Sequence, residues 1–140
     1  MCRRCLATND IENEVYTPIA QAVKAEYPGA FVTGELLSSE PTKFPCVALA
    51  EIDNYEPKDK RDSSGVETFS NITYELSVYS NKAAGKKSEC KAVFKFVDNM
   101  LVDLGFTRES ITPQVPINDK IYWRTGRYTA QVRDKTIYSL

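Results

Sequence analysis

The chain has 140 residues, the length of one ordinary domain, and its 42% hydrophobic and 26% charged residues exclude wholesale disorder and predict a packed core. Eighteen Lys and Arg against nineteen Asp and Glu leave a formal charge of -1, so no global field draws the protein to nucleic acid or an anionic membrane. No apolar stretch approaches the roughly 20 residues of a spanning helix, and Met1-Cys2-Arg3-Arg4-Cys5 leads into polar Thr8, Asn9 and Asp10 instead of a secretory h-region, so an intracellular product is expected.

Asn9 or Asp10 suits the cap of a first helix, with Glu12 and Glu14 at its positive end and Ile11, Val15, Ile19, Ala22 and Val23 at helical spacing. Pro18 predicts a kink, or a restart capped by Thr17, and Pro28-Gly29 ends the element. Ala30 to Glu35 reads as a short strand. Cys46 to Tyr55 reads as a longer one, apolar on both faces and therefore central in a sheet. Glu56 to Gly65 lacks apolar periodicity and is expected to be a long solvated loop. Between Glu67 and Tyr79, Ile72, Tyr74, Leu76 and Val78 alternate with Thr73, Glu75 and Ser77, which predicts a strand with one covered face, paired to the previous strand as a long hairpin.

Over Lys82 to Leu104, the stripe Cys90, Val93, Phe94, Val97, Leu101 and Leu104 predicts a long amphipathic helix stopped by Gly105, with Phe96 and Met100 beside it. Strands near Ile111 to Ile117 and Ile121 to Arg133 follow, turned by Asn118-Asp119-Lys120, with a bulge expected at Gly126. This order predicts an α+β fold: an antiparallel or mixed sheet with two helices packed on one face. Residues 1–9 are expected to form a flexible N-terminal segment, and 10–140 a single domain.

The chain has no histidine, which removes the commonest general base and metal ligand together, and its six glycines are isolated, so no phosphate cradle exists. No catalytic, metal or cofactor residue is expected. Cys2-x-x-Cys5 has half the ligands of a zinc site, and its role stays open. Cys46 and Cys90 read as small core residues. Glu89-x-Lys91 has a nuclease-like spacing, but a helix turns its two side chains apart. Lys87, Lys91 and Lys95 form an i, i+4, i+8 stripe suited to a phosphate or an acidic partner, or simply to solvent. The mixed charges of Lys58, Asp59, Lys60, Arg61 and Asp62 suit either a soluble hairpin tip or an intersubunit contact. Tyr122, Trp123 and Tyr128 suit sheet packing, or base stacking in a single-strand binder.

Several segments carry a family resemblance: Asp10-Ile11-Glu12-Asn13-Glu14-Val15-Tyr16, Phe31-Val32-Thr33-Gly34-Glu35, Tyr74-Glu75-Leu76-Ser77-Val78-Tyr79-Ser80-Asn81-Lys82, Gly85-Lys86-Lys87-Ser88-Glu89-Cys90 and Asp103-Leu104-Gly105-Phe106-Thr107-Arg108. From Asp10 to Arg133 the chain resembles the small neck and tail-completion proteins of long-tailed bacteriophages, in particular tail terminators. The resemblance implies a structural virion protein made in the bacterial cytoplasm. It would form a homohexameric ring that caps the tail tube and meets the head-tail connector, with a lumen in reach of DNA or of a tape-measure protein. A connector or stopper subunit is the neighbouring expectation, and a small nucleic-acid or ligand-binding module the expectation from another class.

Overall fold

A computed structural model describes residues 10–55, 69–113, 120–133 and 136–138. The first helix, α1, spans Glu12–Glu26 and runs through Pro18 without the expected restart. Its start has a local cause: the Asp10 side chain accepts a hydrogen bond from the Glu12 amide at 3.1 Å, and the Ile11 carbonyl accepts from Val15 at 2.9 Å. Pro18 lies on the solvent-exposed side of the helix. Val15, Ile19, Ala20 and Val23 form the buried stripe. The Tyr16 hydroxyl donates to the Val32 carbonyl and ties α1 to β1, Phe31–Thr33.

Strand β2, Cys46–Tyr55, pairs in parallel with β1 and antiparallel with β3, Ser70–Ser80. Only its first half is central. The β1 partners are Cys46, Val47 and Ala48, and beyond Ala48 the outer side of β2 has no strand beside it among the described residues. Burial follows this division, with Cys46 to Ala50 covered and the remainder open.

The second helix, α2, spans Lys86–Leu104, starting four residues later than expected. Its predicted stripe is buried at Cys90, Val93, Phe94, Val97 and Leu101, while Leu104 is only half-buried. Gly105, at φ 111°, ends the helix by turning left-handed, so that the Phe106 amide reaches back to the Leu101 carbonyl at 3.1 Å. Phe106 then packs edge-on against Tyr74. The chain enters β4, Thr107–Pro113, at once. The strand expected near Ile111 to Ile117 thus starts four residues earlier, and residues 114–117 of that expectation lie outside the described residues. Strand β4 lies at the sheet edge and is exposed along most of its length, so its sequence carries no alternation to read.

Strand β5, Tyr122–Arg133, is the hub of the sheet, paired with β3 along one side and with β4 and the unforeseen β6, Thr136–Tyr138, along the other. Among the described residues the order is β1-β2-β3-β5-β4, with β6 beside β5 completing a six-stranded mixed sheet, and with the two helices this is an α+β arrangement. The helices cover one face, over Val47, Leu49, Ile72, Tyr74, Leu76, Val78, Tyr128 and Ala130. Against the sequence expectation, Gly126 makes no bulge, since β3 and β5 stay in continuous register from Ser80↔Tyr122 to Ser70↔Val132. The register shifts fall instead in β2, between Glu51 and Asp53, and in β4, between Arg108 and Ser110.

The opposite face is dressed with small and polar groups, among them Ala48, Ala50, Ser77 and Thr125, the last two joined hydroxyl to hydroxyl at 3.2 Å. At one end of this face Cys46, Tyr79 and Ile121 form a second apolar cluster with Leu37, Phe44 and Trp123.

Candidate functional site

Two charged features stand at opposite sides of the sheet. Where α2 leans over β4 and β5, a groove of about 450 Å³ is lined by Lys91, Lys95, Arg108 and Arg124, with Phe94, Ile111 and Asp98 beneath them. Helical spacing brings Lys91 and Lys95 to the same rim, and both are exposed. Arg124 reaches this side because it alternates in β5 with Trp123 and Thr125, which point to the face opposite α1 and α2. Its guanidinium lies 5.9 Å from the centre of the Phe94 ring, and its Nε is buried with no hydrogen-bond partner among the described residues.

Arg108 is held more firmly. Its Nη1 donates to both Asp98 carboxylate oxygens, at 3.0 and 3.1 Å, and the Tyr128 hydroxyl donates to Asp98 Oδ1 at 2.5 Å. Burial, then the hydrogen bond to Asp98, push the Tyr128 phenol well above its ordinary range. The trio fixes α2 against β4 and β5.

On the β2 side, Asp10 and Glu12 at the start of α1 face Glu51 across a cavity of about 180 Å³ that Gly34, Leu49 and Tyr74 complete. Among the described residues no Lys or Arg pairs with these three carboxylates. Tyr74 is only 1% exposed, yet its hydroxyl has no hydrogen-bond partner among the described residues. Partial desolvation against the cavity wall, although Glu51 as a residue is exposed, and the neighbouring charge of Asp10, with smaller effects from Glu12 and Asp53, hold its carboxyl above its ordinary range, against a lowering hydrogen bond from Asn54.

The folded chain thus holds the Glu51 proton more tightly than the unfolded chain, and stability falls as pH rises from the ordinary carboxylate range through the raised value. Glu51→Gln should flatten that slope and raise Tm at neutral pH by about 1–2 °C. Thermal melts of both proteins across the acidic range check this, and an unchanged slope would refute it.

The residues expected to matter are distributed as follows. Lys91 and Lys95 lie in the groove, while Lys87 is exposed on the same helix but outside the groove lining. Lys58, Asp59, Lys60, Arg61 and Asp62 lie outside the described residues. Glu89 and Lys91 are not brought together, since Glu89 accepts from the Ser80 hydroxyl at 2.6 Å. Tyr128 is fully buried, and Trp123 stacks on Tyr79 with centroids 5.0 Å apart.

Cys46 and Cys90 are core residues, with burial pushing their thiols up to about 11 and about 12, so neither is a thiolate nucleophile at neutral pH. Among the described residues no group of three or more Cys, Asp or Glu side chains is arranged to hold a metal, and no helix is long and apolar enough to cross a membrane.

Sequence reasoning missed Asp98, Arg108 and Arg124. Asp98 did leave a signal: it stands four residues after Phe94 and three before Leu101, on the buried stripe, where a carboxylate requires partners. No protein-family profile matches the chain, and no curated protein matches it.

Proposed function

We propose that the protein is a structural subunit of a phage-type neck. It would be a tail terminator that assembles into a homohexameric ring, caps the head-proximal end of the tail tube and docks on the head-tail connector. The resemblance running from Asp10 to Arg133 motivates this reading. The observation that carries it furthest is a row of register partners across the sheet, Glu51↔Tyr74↔Tyr128↔Arg108, with no strand beyond either end among the described residues. A ring subunit needs two unlike surfaces that meet head to tail, whereas a two-fold dimer needs one surface that meets itself. The two ends of this row are unlike in both shape and charge.

The basic groove favours a second reading, an anion- or nucleic-acid-binding module, in which neutralising Lys91 and Lys95 together would abolish salt-sensitive binding. The decisive experiment for the first reading is to locate the chain in purified particles. Mass spectrometry of virions and labelled imaging should find it at the head-proximal end of the tail, as a ring. A chain absent from virions would refute the assignment.

A further inference from the structure

Glu51, with Asp10 and Glu12 beside it, closes one end of the row, and Arg108, with Lys91, Lys95 and Arg124 beside it, closes the other. Three inter-strand spacings put the ends of the row roughly 14 Å apart. Both ends carry a register shift at this level, between Glu51 and Asp53 and between Arg108 and Ser110. Such irregularities obstruct the addition of a further strand through backbone hydrogen bonds, so a neighbour is met by side chains.

At the acidic end, three carboxylates line one cavity with no paired cation among the described residues, above a buried tyrosine hydroxyl that has no partner among those residues either. That arrangement calls for a hydrogen-bonding cation, and an ammonium group supplies three donors. At the basic end, Lys91 and Lys95 are exposed and rise from one helix face.

We infer that the acidic cavity formed by Asp10, Glu12, Glu51 and Tyr74 in one copy receives Lys91 and Lys95 of a second copy, in a head-to-tail contact between opposite ends of the sheet. The inference rests on the ring reading above and identifies the surfaces that would close the ring. Charge complementarity commits the cavity to a second copy of this chain. The net charge of -1 leaves little overall repulsion between copies, while the local charges oppose each other in sign. A two-fold contact would need both patches within one self-complementary surface, whereas here they stand at opposite ends of the row.

Zero-length carbodiimide coupling on a mixture of unlabelled and ¹⁵N-labelled full-length chains tests the contact directly. The expected products join Glu12 or Glu51 of one isotope to Lys91 or Lys95 of the other. Sedimentation of Lys91→Glu with Lys95→Glu, and separately of Glu12→Lys with Glu51→Lys, should show self-association weakened by about 10-fold or more. An equimolar mixture of the two variants should recover it, because each reversed surface then meets its complement, and recovery also demonstrates that both variants are folded.

Oligomers that neither pair of reversals weakens would overturn the contact and leave the ring reading intact. Failure of the mixture to recover association, with circular dichroism showing both variants folded, would overturn it too. A wild-type chain that remains monomeric and yields no mixed-isotope product likewise excludes the contact, whereas absence from virions is what excludes the ring reading.

Discussion

Replacing Asp98 with alanine is expected to lower the unfolding free energy by about 2–4 kcal/mol. Asp98 is 7% exposed and its carboxylate serves two donors, which lose unequally. Tyr128 is fully buried, so its hydroxyl would be stranded where no water replaces the acceptor. Arg108 keeps 47% of its side chain exposed and can return to solvent. Most of the loss therefore passes through Tyr128.

Asp98→Asn, which retains a carbonyl acceptor, should cost less than Asp98→Ala, and Arg108→Ala less again. Denaturant titration of Asp98→Ala, Tyr128→Phe and the double variant measures the coupling between the two side chains. The Asp98→Ala penalty should shrink in the Tyr128→Phe background, because no hydroxyl then remains to be stranded. Penalties that simply add would show the 2.5 Å bond contributing nothing.

The second large effect lies at Gly126. Alanine in place of glycine inside a strand ordinarily stabilises, because the unfolded chain has less freedom to lose. Here the sign should reverse. A Cβ at this position would stand 2.7 Å from Phe94 Cζ, 3.2 Å from Tyr128 Cε1 and 3.3 Å from the Ser110 carbonyl oxygen. Phe94 belongs to the α2 stripe and is only 2% exposed between helix and sheet, so its ring has no open space to swing into and Gly126→Ala should cost about 1–3 kcal/mol. Shortening the ring with Phe94→Leu should relieve the clash, making the double variant more stable than the two single penalties predict. Thermal and denaturant unfolding of the four proteins decides this, and a neutral or stabilising Gly126→Ala would mean that the helix shifts freely on the sheet.

The parts of this fold legible in the sequence are those where one apolar period runs long enough to dominate. The stripe from Cys90 to Leu101 and the alternation from Ile72 to Val78 specify α2 and β3, including which face each buries. Exposure erased the signal for β4, since Thr107, Arg108, Glu109 and Ser110 sit on an edge strand that buries nearly nothing and is located by pairing to β5. Three-residue β6 is too short to hold any period.

Gly126 illustrates a different failure. Glycine in a strand marks either a bulge or a close approach, and only the position of Phe94 distinguishes them. The candidate site was half legible. Lys91 and Lys95 are neighbours by helical arithmetic, whereas Arg108, Arg124, Glu51 and Asp10 meet their partners through strand pairing and tertiary packing that no local pattern encodes.

Trp123 is the only tryptophan in the chain, and its stack on Tyr79 sits on the sheet face opposite the two described helices. Fluorescence excited selectively at tryptophan, beyond the absorption of the eight tyrosines, therefore watches one layer of the fold. A helix that loosens from the far face changes ellipticity while leaving the indole in its place, so the two signals diverge whenever the layers come apart before the sheet does. Coincident fluorescence and dichroism transitions would establish that helices and sheet unfold as one cooperative unit.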